Sequence, residues 1–167
     1  MSRLDSAIRR LEAQRATLER AAELIRDLPG PLLEVGLGNG RTFDHLRERL
    51  PGREIFVFDR ALAAHPACRP DRAHFLEGDL AVTLPDAVRR FGGSVALVHS
   101  DIGNGEAAGS VVTAALVARH LPALLAPGGL AASDQPLTLE GFEALALPDG
   151  VKPGRYFLYR APGSRLS

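Results

Sequence analysis

The run Leu32-Leu33-Glu34-Val35-Gly36-Leu37-Gly38-Asn39-Gly40 constrains this chain more than any other stretch. A mostly apolar strand leads into a loop with glycine at every second position, and a helix-like stretch follows from Arg41. Glycine lets the backbone turn sharply and approach a ligand where any side chain would block it. The helix after the loop aims its free N–H groups and its positive dipole end at the same place. Strand, glycine turn and helix in this order open a sheet of the α/β kind. The spacing is G-x-G-x-G. A dinucleotide fingerprint, G-x-G-x-x-G, would need its third glycine where Arg41 stands.

The alternation continues downstream. Strands are predicted at Leu32–Gly36, Glu54–Asp59, Ala73–Glu77, Val95–Ser100 and Gly129–Ser133. Helices fit between them at Arg41–Leu50, Leu80–Phe91 and Glu106–Leu125, with a short one near Leu62. Pro51-Gly52, Gly92-Gly93 and Pro127-Gly128-Gly129 mark the joins. After the fifth strand the pattern changes. Phe142–Leu147 and Arg155–Arg160 read as two strands joined by a turn-rich segment too short for a parallel crossover, so this pair is expected to be antiparallel. The fold class that results is a Rossmann-like, doubly wound α/β sheet, mostly parallel, with an antiparallel hairpin at its C-terminal end. It forms a single domain over residues 32–160, preceded by a helix within residues 1–28.

That first helix is predicted over Ser2–Leu28. Ser2 and Asp5 have the spacing of a capping box, and Leu28-Pro29-Gly30-Pro31 stops the helix. Leu4, Ile8, Leu11, Leu18, Ala22 and Ile25 recur at steps of three and four, interrupted at Arg15. Such a stripe suits a helix laid on the domain. It equally suits a self-association seam between copies, a homo-oligomer.

Open α/β sheets bind ligands at the carboxyl ends of their strands. Beyond the glycine loop every predicted parallel strand ends in acid: Asp59, then Glu77-Gly78-Asp79, His99-Ser100-Asp101 and Ser133-Asp134-Gln135. The plain alternative is that each acid caps a turn or helix.

The glycine loop, with a carboxylate two residues before its first glycine, resembles motif I of the class I S-adenosylmethionine-dependent methyltransferases. The resemblance extends from Leu32 to Arg160, with the terminal hairpin similar to that family's antiparallel sixth and seventh strands. A group of compact bacterial methyltransferases carries a similar N-terminal helix. What the resemblance implies is a fold and a cofactor, S-adenosyl-L-methionine. Glu34, Gly36, Gly38 and Gly40 would cradle its methionine part, with Asp101 also facing the cofactor. Asp59 would accept hydrogen bonds from both ribose hydroxyls, as a carboxylate has two acceptor oxygens. Asp79 and the backbone of Leu80 would meet the adenine.

Two further sets are candidates. In metal-dependent catechol-type O-methyltransferases, an Asp ending the fourth strand and an Asp-Asn pair ending the fifth hold magnesium. Asp101 and Asp134 match that pattern, and Gln135 replaces the Asn. Those enzymes also have a lysine three residues after the first Asp, where this chain has Asn104. The alternative is that Asp101 and Asp134 cap the segments after them. His99 and Asp101 share one face of their strand, and as catalytic candidates either could take a proton from the acceptor. A satisfied core histidine is the competing reading for His99. Asn104-Gly105-Glu106 would line the acceptor pocket, or serve only as a turn and N-cap.

The expected function is methyl transfer from S-adenosylmethionine to a small molecule. The chain lacks the Asn/Asp-Pro-Pro-aromatic run of base-modifying enzymes and the Pro-Cys nucleophile of cytosine-C5 enzymes. Twenty basic and twenty acidic residues cancel, leaving no cationic excess to attract nucleic acid. No apolar run approaches a membrane span, and the single Cys68 can form no internal disulfide, so a cytoplasmic location is expected. Three alternatives stay open: a non-catalytic module binding the cofactor or its demethylated product, a metal-dependent O-methyltransferase, and an NAD-binding oxidoreductase. The last is kept because Asp59 lies about twenty residues beyond the loop.

Overall fold

The computed structural model describes residues 2–103 and 107–163. Helix α1 spans Arg3–Leu24, followed by strand β1 at Leu32–Val35, α2 at Arg41–Arg49 and β2 at Ile55–Asp59. Then come β3 at Phe75–Glu77, α3 at Leu80–Phe91, β4 at Val95–Ser100, α4 at Ala107–Leu124 and β5 at Leu125–Ser133. Short strands β6 (Glu143–Ala144) and β7 (Phe157–Arg160) close the chain. The seven strands form one sheet in the order β3-β2-β1-β4-β5-β7-β6. Strands β1 to β5 pair in parallel, whereas β7 runs antiparallel to both β5 and β6.

This order places β1 inside the sheet, between β2 and β4, and all four of its residues are buried. Strand order reverses between β1 and β4, so the crevice expected of a doubly wound sheet opens above the glycine loop. Alternate residues of each strand feed opposite layers. Leu32, Val57, Leu97, Leu130 and Leu158 meet α1 and α2 through Leu18, Ala21 and Leu46. Leu33, Val35, Phe58 and Val98 meet α3 and α4 through Leu84, Leu121 and Leu124. Buried on both faces, the central strands read as continuous apolar runs.

The predicted architecture is the observed one, with local corrections. No helix forms near Leu62. Residues 60–74 cross from β2 to β3 through two 3-10 turns, Pro66–Cys68 and Arg72–His74, whose starts are capped by His65 and Asp71 side chains. Pro66 and Pro70 prevent a continuous helix there. The second turn absorbs Ala73 and His74, so β3 begins only at Phe75. β5 begins at Leu125, earlier than expected, because Leu125 pairs with Val95 and Pro127-Gly128-Gly129 are taken up in an irregularity before Leu130 pairs with Leu97. Of the predicted strand Phe142–Leu147, only Glu143 and Ala144 pair as a strand. The capping box of Ser2 and Asp5 is present, and α1 stops at Leu24 with a turn through Asp27.

Candidate active site

The glycine loop is built from left-handed turns that favour glycine over any residue with a side chain. Gly36, Gly38 and Gly40 all have positive φ, at +89°, +52° and +82°. A side chain at Gly36 would run into the carbonyl oxygen of Asp101, and one at Gly40 would lie 2.7 Å from Cys68 Cβ. At Gly38 no atom lies within 4 Å of where a side chain would start. Two of the three glycines therefore bring the loop close to its neighbours, and the third leaves room above it for a ligand.

Asp59, at the end of β2, ties this loop to the sheet. Its Oδ2 accepts from the backbone N–H groups of Leu37 (2.8 Å) and Gly38 (3.2 Å), and its Oδ1 accepts from Arg60 N–H at 2.6 Å. Carboxylate oxygens take more than one hydrogen bond, so Asp59 keeps capacity toward a ligand hydroxyl. Asp79 sits across from it, exposed, as the N-cap of α3. The Ala81 N–H that it accepts (2.8 Å), helped by the Arg60 guanidinium at 3.0 Å, holds its carboxyl below the usual range. Leu80, next in sequence, is half-buried at the start of α3.

Glu34 lies beneath the loop rather than in the crevice. It is fully buried, one oxygen accepting the Thr42 hydroxyl and the other 2.6 Å from His99 Nδ1. His99 is buried as well, and its Nε2 meets the hydroxyl of Tyr156, which lies just before β7. Gln14, on α1, extends the chain. Its amide nitrogen donates to Asp101 Oδ2 at 2.8 Å and reaches the Tyr156 oxygen at 3.4 Å. Burial alone would push His99 toward neutrality, but Glu34, with Asp101 and Asp134 behind it, raises its pKa above the ordinary value. Burial, and then the Asp101 charge, push the Tyr156 phenol well above its ordinary value, so it stays protonated.

Asp134 faces the loop after β4. Its oxygens accept from the N–H groups of Ile102 (3.3 Å) and Gly103 (2.9 Å) and from the Gln135 amide at 3.2 Å. Among the described residues, no three His, Cys, Asp or Glu side chains group closely enough to hold a metal ion. Asn104, Gly105 and Glu106 lie outside the described residues.

Sequence reasoning missed Gln14, Thr42 and Tyr156. Gln14 had a signal: it falls three residues after Leu11 and four before Leu18, inside the apolar stripe. Arg15, read as the interruption, is exposed, and the buried Gln14 fills the seam. Thr42 and Tyr156 had none, because nothing local tells a buried hydroxyl which distant partner it will meet.

A family model described as S-adenosyl-L-methionine methyltransferase matches residues 1–161. Among solved structures, the chain is similar to an S-adenosyl-L-methionine methyl transferase from Silicibacter pomeroyi DSS-3. The two are 45% identical with a TM-score of 0.90, over 96% of this chain and 99% of that one. TrmN from Thermus thermophilus (21% identity, TM-score 0.57, 84% of this chain and 48% of that one) shares the fold. So does a fibrillarin pre-rRNA processing protein from Methanococcus jannaschii (14% identity, TM-score 0.54, 82% of this chain and 68% of that one). No curated protein matches the chain.

Proposed function

The chain belongs to the S-adenosyl-L-methionine methyltransferase family, and from that membership we propose that it methylates a small-molecule acceptor in the crevice between the glycine loop and α1. The cofactor is S-adenosylmethionine. When bound, it supplies a methyl group on a positively charged sulfur, electrophilic without further activation.

The chain's own residues then have two tasks, holding the cofactor and aligning the acceptor for in-line attack. In this reading Gly36, Gly38 and Gly40 give the methionine end a close backbone approach. Glu34 supports them from below through Thr42 and His99. Asp59 accepts from the ribose hydroxyls, Asp79 and the Leu80 backbone meet the adenine, and Asp101 faces the methionine end beside Gly36. His99, enclosed on all sides, orients its neighbours rather than touching the acceptor.

The observation that carries a small acceptor is the juxtaposition of Gln14 with Asp101. It sets α1 against the end of β4, and in this reading the helix limits the size of acceptor that can enter beside the glycine loop. The balance of twenty basic against twenty acidic residues also disfavours a nucleic acid, which would need a cationic surface. The single cysteine goes with a cytoplasmic location. The test is methyl transfer from isotope-labelled S-adenosylmethionine to parallel panels of small hydroxyl, amine and thiol compounds and of RNA. Label in a small molecule supports the reading, and label in RNA alone overturns it.

A homo-oligomer through α1 belongs to the same proposal, with a second copy of the chain as the occupant. Residues 2–12 of α1 have no buried side chain, and Leu4 and Ile8 are 69% and 46% exposed. Asp5 and Glu12 flank this stripe together with Arg3, Arg9 and Arg10, so an antiparallel second copy can set opposite charges against each other.

A further inference from the structure

A carboxylate in an open crevice can rotate, and its usefulness depends on what fixes its plane. Asp101 has such a fixture in a residue far away in sequence. The Gln14 amide N–H donates to Asp101 Oδ2 at 2.8 Å, and the same nitrogen lies 3.4 Å from the Tyr156 hydroxyl. Both partners are suited to accept. Carboxylate oxygens are pure acceptors, and the Tyr156 oxygen has its own hydrogen engaged toward His99 Nε2 when that histidine is neutral.

Behind Gln14 the hydrogen bonds run on without a break. Tyr156 meets His99, His99 meets Glu34, and Glu34 accepts from Thr42 of α2. Gln14, Thr42, Glu34, His99 and Tyr156 are all buried. In such surroundings each polar group strongly resists losing its partner, so the chain acts as a rigid strut. Its fixed end is the floor of the glycine loop, and its free end is Gln14. Asp101 is the residue it reaches, and the backbone of Asp101 lies against Gly36, where the loop begins its first turn.

We propose that Gln14 is a positioning residue for the cofactor site: carried by α1 and backed by Tyr156, it sets the plane of the Asp101 carboxylate beside the glycine loop. One oxygen of Asp101 is held by the amide, and this fixes the direction of the other. The N-terminal helix thereby becomes part of the binding machinery. The inference rests on the reading that Asp101 faces the cofactor, and the experiment separates the two.

The experiment is calorimetric titration of S-adenosylhomocysteine into the wild type, Gln14→Met, Asp101→Ala and the double variant, with thermal unfolding of each. Met keeps the length and volume of Gln14 and removes its donor. Asp101→Ala is expected to weaken binding. Gln14→Met is expected to weaken it about tenfold, the size of one hydrogen bond to a charged group. In the double variant the Gln14 change should add nothing to the loss from Asp101→Ala, since its effect passes through that carboxylate. Additive losses, or unchanged affinity in Gln14→Met beside a weakened Asp101→Ala, would leave Gln14 a purely structural residue and overturn the proposal. Unchanged affinity in Asp101→Ala would overturn the cofactor-facing reading, and the proposal with it. If Gln14→Met does not fold, Gln14→Asn, too short to reach Asp101, is read by the same criteria.

Discussion

His99 Nδ1 lies 2.6 Å from Glu34 Oε2, with both side chains out of contact with solvent, on neighbouring strands directly beneath the glycine loop. A buried pair of this kind contributes little against well-packed apolar residues, but breaking it by removing one partner is costly. Glu34→Ala strips His99 and Thr42 of their shared acceptor. It is expected to destabilise the fold by about 3–5 kcal/mol, read from urea unfolding. A loss below about 1 kcal/mol would mean that solvent or another group replaces the carboxylate.

The same pair makes stability depend on pH. The folded pKa of His99 is raised above its unfolded value of about 6.5. Its contribution is therefore fully present below that unfolded value and is lost as pH rises through the raised folded one. His74, raised chiefly by its hydrogen bond to Asp71, acts in the same direction. His45, lowered by burial, acts oppositely and costs stability as pH falls below its unfolded value. To isolate His99, the unfolding free energy of wild type is compared with that of His99→Gln from about pH 5.5 to about pH 9, a window that starts below the unfolded value and extends well above it. The gap between them should shrink as pH rises; a constant gap would show that His99 does not titrate in this range.

Two glycines of one loop should respond differently to alanine. Gly36→Ala combines a positive φ with a collision against the Asp101 carbonyl, so it should lower the melting temperature sharply. Gly38→Ala carries the left-handed penalty alone, about 1–2 kcal/mol, in open space. The fold should survive Gly38→Ala while S-adenosylhomocysteine affinity falls, because the new methyl occupies the ligand's side of the loop. Equal melting temperatures for the two variants would contradict the packing argument.

Asp59→Ala should weaken S-adenosylhomocysteine binding by about 1–3 kcal/mol, through charge-assisted hydrogen bonds lost to the ligand. Part of that loss will come from releasing the N–H groups of Leu37 and Gly38, which Asp59 holds. Titration with adenosine and with 2′,3′-dideoxyadenosine separates the two contributions. If the variant discriminates between these nucleosides as well as the wild type does, the ribose assignment is wrong.

Association through α1 is testable by sedimentation velocity over a concentration series. Leu4→Glu combined with Ile8→Glu touches only exposed positions, so unfolding should be unchanged. The wild type should form a dimer at high concentration and the variant should remain monomeric. A wild type that stays monomeric throughout removes the self-association seam.

The glycine loop and the strand-end acids were legible because they obey local rules: strand, turn and helix each impose a short-range pattern. The absent helix near Leu62 shows where such rules weaken. Pro66, Pro70 and two side-chain caps outweighed the helical preference of the segment around it. Gln14 shows a different limit. Its place in the apolar stripe was readable, but a buried glutamine and an interrupted seam look alike until a partner is known.

The sequence by itself determined the order of strands and helices, the loop with glycine at every second position, and the acids at the strand ends. Periodicity, turn chemistry and glycine's freedom act over a few residues, so they are written locally. Only the tertiary structure decided that β1 lies between β2 and β4 and that β7 inserts between β5 and β6. The same holds for the meeting of Gln14 and Tyr156, 142 residues apart, over Asp101. Burial is the physical reason. It forces each polar group to find a partner but does not say which one, and that choice is made only when sheet order and helix rotation bring particular side chains within reach.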